Sequence, residues 1–242
     1  MPIMRTKIKL LFKLNEGIEA ARLRAPLEAE IARLEATLGV PSAITVGKAV
    51  ADPTLHIIAA GAFDASAGPY DVMLEIIPPE NSVDKAVQLL TGLSGRLADL
   101  IDREKSAALS GVEHVILPGE GQTFVLIANR RLPHLTHQQF IDYWFGFHAD
   151  FTRTHTPPEI GMRYRQFHTN VARTEALLAA TGFGVGDFDG AAECHYPDEA
   201  SLRDLMALTE IVDEATEDEV KFVDHERCVT TVFTPSTDFS IL

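Results

Sequence analysis

The chain has 242 residues, of which 46% are hydrophobic and 23% charged, and its formal net charge is −14. This is an ordinary globular composition, long enough for one large domain or two domains of about 120 residues. The negative charge, with no Lys/Arg cluster to offset it, argues against nucleic acid and anionic membranes as partners, and no apolar run approaches the roughly 20 residues of a membrane span.

The N-terminal segment is basic, but its lysines interrupt the apolar residues and no small-residue cleavage site follows. A secretory signal would need a continuous apolar core. The two cysteines, Cys194 and Cys228, are too few for a disulfide framework. These features predict a cytoplasmic protein.

The first half predicts two helices between four strands. The first helix carries the apolar stripe Leu27, Ile31, Leu34 and Leu38, with Pro26 at its first position and Gly39 after its end. A second helix is expected at 82–101. Short apolar runs rich in β-branched residues predict the strands, at 7–14, 43–51, 70–76 and 111–117.

The second half predicts the same order of elements. Thr136 and Gln139 form a capping box, which starts a helix with the apolar stripe Phe140, Trp144, Phe147 and Phe151. A second helix is expected at 198–212, followed by a further turn at 216–224. The predicted strands are 123–130, 162–170, 188–196 and 228–234.

Corresponding strands in the two halves are separated by 116 to 118 residues, which suggests duplication. Each half reads β-α-β-β-α-β, the ferredoxin-like order, in which both helices cover one face of a four-stranded antiparallel sheet. The uncovered faces need a partner. We therefore predict an α+β fold in which two fused ferredoxin-like units, 1–118 and 123–242, pack their sheets as one α/β barrel.

The second half resembles the EthD domain family of dimeric α/β barrels. The resemblance rests on "LTHQQFIDYWFGFHADF", "MRYRQFHTN", "FDGAAECHY", "EDEVKFVD" and "VTTVFT", and it covers residues 123–235. It implies a barrel that other members form between subunits and that two units of this chain can form internally, with a homodimer also possible. It further implies small cytoplasmic proteins, with relatives that include dehydratases or decarboxylases of aromatic polyketides, haem-binding enzymes and cofactor-free monooxygenases.

His148 is the principal catalytic candidate. It lies 80° from Phe140 around a regular helix, on the flank of the apolar stripe, and imidazole titrates near neutral pH. The alternative is a half-buried histidine satisfied by a carbonyl or a water molecule. Aligning the two stripes places Glu35 opposite His148, so we expect the pocket in the second half and a scaffold role for the first.

Two tyrosines complete the catalytic prediction. Tyr143 lies on the other flank of the helix and Tyr164 on the strand at 162–170, where either hydroxyl could stabilise a developing oxyanion or simply face water. Gln166 and His168 share the strand face of Tyr164, so this face lines a polar cavity of the barrel or meets solvent at an edge. We assign both residues, with Trp144, to substrate binding.

Three carboxylates are further substrate-site candidates: Asp189, Glu193 and Asp224. A carboxylate beside an imidazole orients it and stabilises its charged form. The alternative is that they are solvent-facing acids of an acidic protein.

No metal or cofactor is predicted. His134 and His137 straddle the start of the helix, His148 and His155 its end, and no His-Glu-x-x-His motif occurs. A haem would need a large apolar cavity and an axial ligand, for which His148 or His168 could serve.

Three functions therefore stay open. The first is a cofactor-independent lyase of the dehydratase type, acting on a small hydrophobic or aromatic carbonyl compound through His148. The second is a non-catalytic protein that binds a hydrophobic catabolic intermediate. The third is a haem-binding or oxygen-using enzyme of the same barrel superfamily.

Overall fold

The computed structural model describes residues 4–61, 70–79 and 81–242. Its strands are β1 (Met4–Phe12), β2 (Ala43–Ala49), β3 (Val72–Ile77), β4 (Ala107–Leu117), β5 (Thr123–Asn129), β6 (Arg163–Thr169), β7 (Gly190–Tyr196) and β8 (Val229–Ser236). They close into one barrel in the order β1-β3-β2-β8-β5-β7-β6-β4, and every pairing is antiparallel.

This order confirms the predicted fold class. The strands β4-β1-β3-β2 follow one another in the ring, as do β8-β5-β7-β6, and each set has the ferredoxin-like order. The sets join where β2 pairs with β8 and β4 with β6. Each sheet thus removes the open edges of the other.

Helices cover the outside of the barrel. They are α1 (Arg24–Leu38), α2 (Pro53–Ala60), α3 (Val83–Leu89), α4 (Leu93–Arg96), α5 (His137–Tyr143), α6 (Ala149–His155), α7 (Val171–Thr181), α8 (Glu199–Met206) and α9 (Thr209–Glu219). Within the described ranges, none of them combines the length and apolar character that crossing a membrane requires.

Several predicted helix boundaries were wrong. The helix α1 starts at Arg24, so Pro26 is its third residue. The helix expected at 82–101 is divided into α3 and α4, with Gly92 between them at a φ of 76°, and the one expected at 198–212 ends at Met206. The helix α2 was not predicted, although Asp52 caps it and Pro53 occupies its first position.

The barrel interior combines aromatic rings with buried charges. Leu11, Phe124, Phe167 and Phe233 belong to a cluster built from inward-facing strand residues. Farther along the same faces lie buried lysine and glutamate side chains, Lys7, Lys9, Glu75, Glu113 and Glu193. Each lysine bridges two of these carboxylates, so no charge in this set is buried without a partner.

The capped helix predicted in the second half is interrupted by a π turn at Trp144–His148. The capping box of Thr136 and Gln139 is present. A π turn takes one more residue than a regular turn, so it rotates every following side chain relative to the stripe. His148 is thereby buried, with 6% exposure, whereas Phe147 is 58% exposed, and its predicted core position was wrong.

This phase shift has a measurable consequence for stability. We expect Phe147→Ala to change the free energy of unfolding by less than about 0.5 kcal/mol, because the ring is mostly in solvent. The matched variant Phe140→Ala should lose about 3–5 kcal/mol, since Phe140 is fully buried. Urea unfolding of both variants tests this, and equal losses would contradict the π turn.

Candidate active site

A pocket of about 160 Å³ lies between the outer face of β5, β6 and β7 and the helices α2, α6, α8 and α9. Its wall is mostly apolar. The polar exceptions are His148, Thr152, His155, Thr156, Tyr164, Cys194, Tyr196, Thr216 and Glu219. An apolar cavity with a few convergent polar groups is the usual form of a small-molecule site.

Both halves of the chain build this wall. Ala59 and Ala60 of α2 line the pocket together with Leu202 and Met206 of α8. The first half is therefore more than a scaffold. Glu35, the counterpart of His148, accepts a hydrogen bond from the backbone N–H of Ser42 at 2.8 Å and so fastens the end of α1 to the start of β2.

His148 reaches the pocket from the π turn, and Asp218 holds its ring. The Nδ1 atom lies 2.8 Å from Oδ2 of Asp218. Burial alone would raise the pKa of Asp218, but hydrogen bonds from His148, Tyr143 and Lys221 lower it to about 2. An ionised carboxylate at Nδ1 keeps the hydrogen on that atom, which leaves Nε2 as a proton acceptor.

Tyr143 lies behind this pair. Its hydroxyl donates to Oδ1 of Asp218 at 2.7 Å. Burial, with the neighbouring Asp218, raises the pKa of Tyr143 to about 12. The structure therefore places Tyr143 against the orienting carboxylate and outside the set of residues that line the pocket.

Tyr164 lines the pocket near His148, with 6.4 Å between the two ring centroids. Its hydroxyl oxygen accepts hydrogen bonds from Trp144 Nε1 at 2.9 Å and from Gln166 Nε2 at 3.3 Å. Burial raises the pKa of Tyr164, so the phenol stays protonated. With both lone pairs occupied, the hydroxyl can only donate its own hydrogen.

Gln166 and His168 share the strand face of Tyr164, as predicted, but this face points outward beneath the π turn instead of into the barrel. His168 Nε2 lies 3.0 Å from Gln166 Oε1. Trp144 packs over His168, with 5.2 Å between ring centroids. These three residues surround the buried side of Tyr164 without lining the pocket themselves.

The three predicted carboxylates lie elsewhere. Asp189 accepts hydrogen bonds from Arg131 and lies 2.8 Å from Nδ1 of His137, next to the start of α5. Glu193 points into the barrel and pairs with Lys9. Asp224 pairs with Arg227 at 3.6 Å. The carboxylate that contacts His148 is Asp218, which the sequence analysis did not single out.

Residues 132–226 match the family model of the EthD domain. The second half of the chain carries an EthD domain. The matched segment contains His148 and Tyr164, which line the pocket, and Asp218, which holds the ring of His148. No curated protein sequence matches the chain.

Solved structures resemble the whole chain. A dye-decolorizing peroxidase from Bacteroides thetaiotaomicron VPI-5482 has a TM-score of 0.52 at 9% identity, over 98% of this chain and 94% of that one. This likeness shows a shared fold, which does not assign an activity to the EthD domain.

Two others are more distant. A heme-binding protein from Thermus thermophilus has a TM-score of 0.44 at 12% identity, over 96% of this chain and 92% of that one. A mutant chlorite dismutase from Candidatus Nitrospira defluvii has a TM-score of 0.46 at 11% identity, over 94% and 90%.

Proposed function

We propose that the EthD domain is a lyase of the dehydratase type that acts on a compact hydrophobic carbonyl compound without a bound cofactor. One observation carries this proposal: Asp218 fixes His148 as a proton acceptor at an apolar pocket where Tyr164 offers a hydroxyl hydrogen. An acceptor and a donor beside one cavity are the groups that proton abstraction next to a carbonyl requires.

In this reaction the substrate is a β-hydroxycarbonyl compound. Nε2 of His148 takes a proton from the carbon beside the carbonyl group, and the Tyr164 hydroxyl donates a hydrogen bond to the carbonyl oxygen, where negative charge develops. The bond from carbon to the β-hydroxyl then breaks, and His148 returns its proton to the departing oxygen. The products are an unsaturated carbonyl compound and water, and both residues regain their starting states.

The size of the pocket points to one ring. An apolar cavity of about 150 Å³ is enough to bind benzene, and this pocket has about 160 Å³. The side chains that line the pocket include Phe151, Met162 and Leu205. We therefore infer a single-ring aromatic substrate or an aliphatic one of similar volume.

Haem fits this pocket poorly. His148 has the arrangement of an axial ligand, with a carboxylate at Nδ1 and Nε2 toward the pocket. A volume suited to a single ring, however, does not admit a tetrapyrrole of four pyrrole rings. The other candidate ligand, His168, uses its Nε2 on Gln166.

The proposed substrate class can be tested without knowing the natural substrate. Mass spectrometry of ligands released from the purified protein is expected to identify single-ring or similarly compact carbonyl compounds. Absorption spectroscopy of the same sample is expected to lack a Soret band. A co-purified tetrapyrrole would overturn the proposal, and tight binding of such carbonyl compounds with no turnover would favour the non-catalytic binding role.

A further inference from the structure

A chain of hydrogen bonds runs along the outer face of β6 from the pocket to His168. We propose that His168 and Gln166 are positioning residues that aim the hydroxyl hydrogen of Tyr164 into the pocket. This inference rests on the proposed function, because that hydrogen is the one assigned there to the carbonyl oxygen of the substrate.

The backbone of the π turn fixes the orientation of Gln166. Its Nε2 atom lies 2.9 Å from the carbonyl oxygen of Trp144, which can only accept a hydrogen bond. The amide nitrogen therefore faces the turn, and its second hydrogen points to the Tyr164 oxygen at 3.3 Å. Oε1 of Gln166 is left facing His168.

His168 completes this orientation. Since Oε1 of Gln166 can only accept, Nε2 of His168 carries the hydrogen in their 3.0 Å contact. Burial, with the neighbouring His114 and His137, lowers the pKa of His168 to about 3, so the ring is neutral near pH 7. Ring contacts with Trp144 at 5.2 Å and His114 at 4.3 Å hold it in place.

The direction of each hydrogen bond in this chain determines the direction of the next one. If the Gln166 amide were reversed, its oxygen would accept the Tyr164 hydrogen and turn it away from the pocket. The N–H group of His168 opposes that reversal, because it would then face the amide N–H groups. The Tyr164 donor in the pocket is thus set by Gln166 and His168, two and four positions along the strand, neither of which lines the pocket itself.

Two probes of similar size separate positioning from packing. Acetophenone has a carbonyl oxygen, whereas ethylbenzene has none. We expect the wild-type protein to bind acetophenone up to about tenfold more tightly, the effect of one neutral hydrogen bond. Infrared spectroscopy of carbonyl-labelled acetophenone should also show a lower stretching frequency in the pocket than in cyclohexane.

The variants His168→Phe and Gln166→Met are expected to abolish both the affinity difference and the frequency shift. Binding of ethylbenzene should persist in each, which shows that the pocket is intact. His168→Phe retains a ring under Trp144, and His134→Phe is a matched control, because His134 is exposed.

The outcomes separate this inference from the proposed function. If the wild-type protein lowers the carbonyl frequency and both variants do so equally, the positioning role is overturned while the carbonyl-binding pocket stands. If the wild-type protein shows no preference for acetophenone over ethylbenzene, the assignment of Tyr164 to a carbonyl oxygen fails, and the positioning role fails with it.

Discussion

His148→Ala is expected to lower the rate of proton exchange beside the carbonyl group of acetophenone by about 10²- to 10⁴-fold, the usual contribution of a positioned general base. Exchange is the first half of the proposed dehydration, so it can be measured without the natural substrate. Nuclear magnetic resonance in deuterated buffer follows the loss of the methyl proton signal when enzyme is added.

Asp218→Asn should remove a large part of the same activity while the pocket stays in place. A carboxylate at Nδ1 keeps the hydrogen on that nitrogen and stabilises the imidazolium that forms, whereas an amide does neither reliably. The pKa of Asp218 is depressed from 3.8 to about 2. The stabilisation of the folded state by this carboxylate is therefore complete above pH 3.8 and is lost as pH falls through 2.

The matched control for this variant is Asp224→Asn. Asp224 lies in the same segment of the chain but pairs with the half-exposed Arg227 instead of with His148. The rate of acetophenone proton exchange with Asp224→Asn should equal that with the wild-type protein. Full activity in both His148→Ala and Asp218→Asn would exclude the proposed mechanism, whereas a wild-type protein that binds acetophenone without accelerating exchange would favour the binding role.

The sequence was sufficient for the fold class because most elements are encoded locally, although α2 was not predicted. The capping box at Thr136, the stripe of Leu27, Ile31 and Leu34, and the face that Tyr164, Gln166 and His168 share on β6 are all confirmed. The two-unit division, the homodimer and the cytoplasmic location remain predictions.

The site depended on features that local patterns do not contain. Nothing in the sequence pairs His148 with Asp218, which lies 70 residues later. The regular spacing of this segment predicts an uninterrupted helix with Phe147 in the buried stripe and His148 on its flank. Because of the π turn, His148 is buried and Phe147 is exposed. Which face of β6 is inside the barrel depends on closure with strands from both halves.

The two lysines of β1 pair with carboxylates inside the barrel. A charged residue at alternate positions of a strand normally indicates a face in water. Lys7 and Lys9 alternate in this way, yet both are at most 1% exposed, because Glu75, Glu113 and Glu193 from three other strands meet them inside. The alternative interpretation of Glu193 was a carboxylate that faces solvent. The structure instead places Glu193 inside the barrel, where it pairs with Lys9.

Lys9→Met is therefore expected to destabilise the protein by about 3–5 kcal/mol, the cost of leaving buried charges without their partner. Lys9 bridges Glu75 and Glu193, which belong to different halves of the chain. The double variant Lys9→Met/Glu193→Gln removes one charge of each sign and should recover much of the loss. Lys105→Met is the control, since this exposed lysine forms only a surface pair with Asp102.

The pH dependence of the stability lost in Lys9→Met tests whether the loss is electrostatic. Burial alone would raise the pKa values of Glu75 and Glu193, but the lysines lower both, so their stabilisation is complete above the unfolded value of about 4.3 and is lost as pH falls below it. Without Lys9 these carboxylates accept protons more readily. The difference in unfolding free energy between Lys9→Met and the wild-type protein, measured with urea, should therefore shrink between pH 7 and pH 4. A difference that is constant over this range would point to lost packing around the lysine stem instead of unpaired charge.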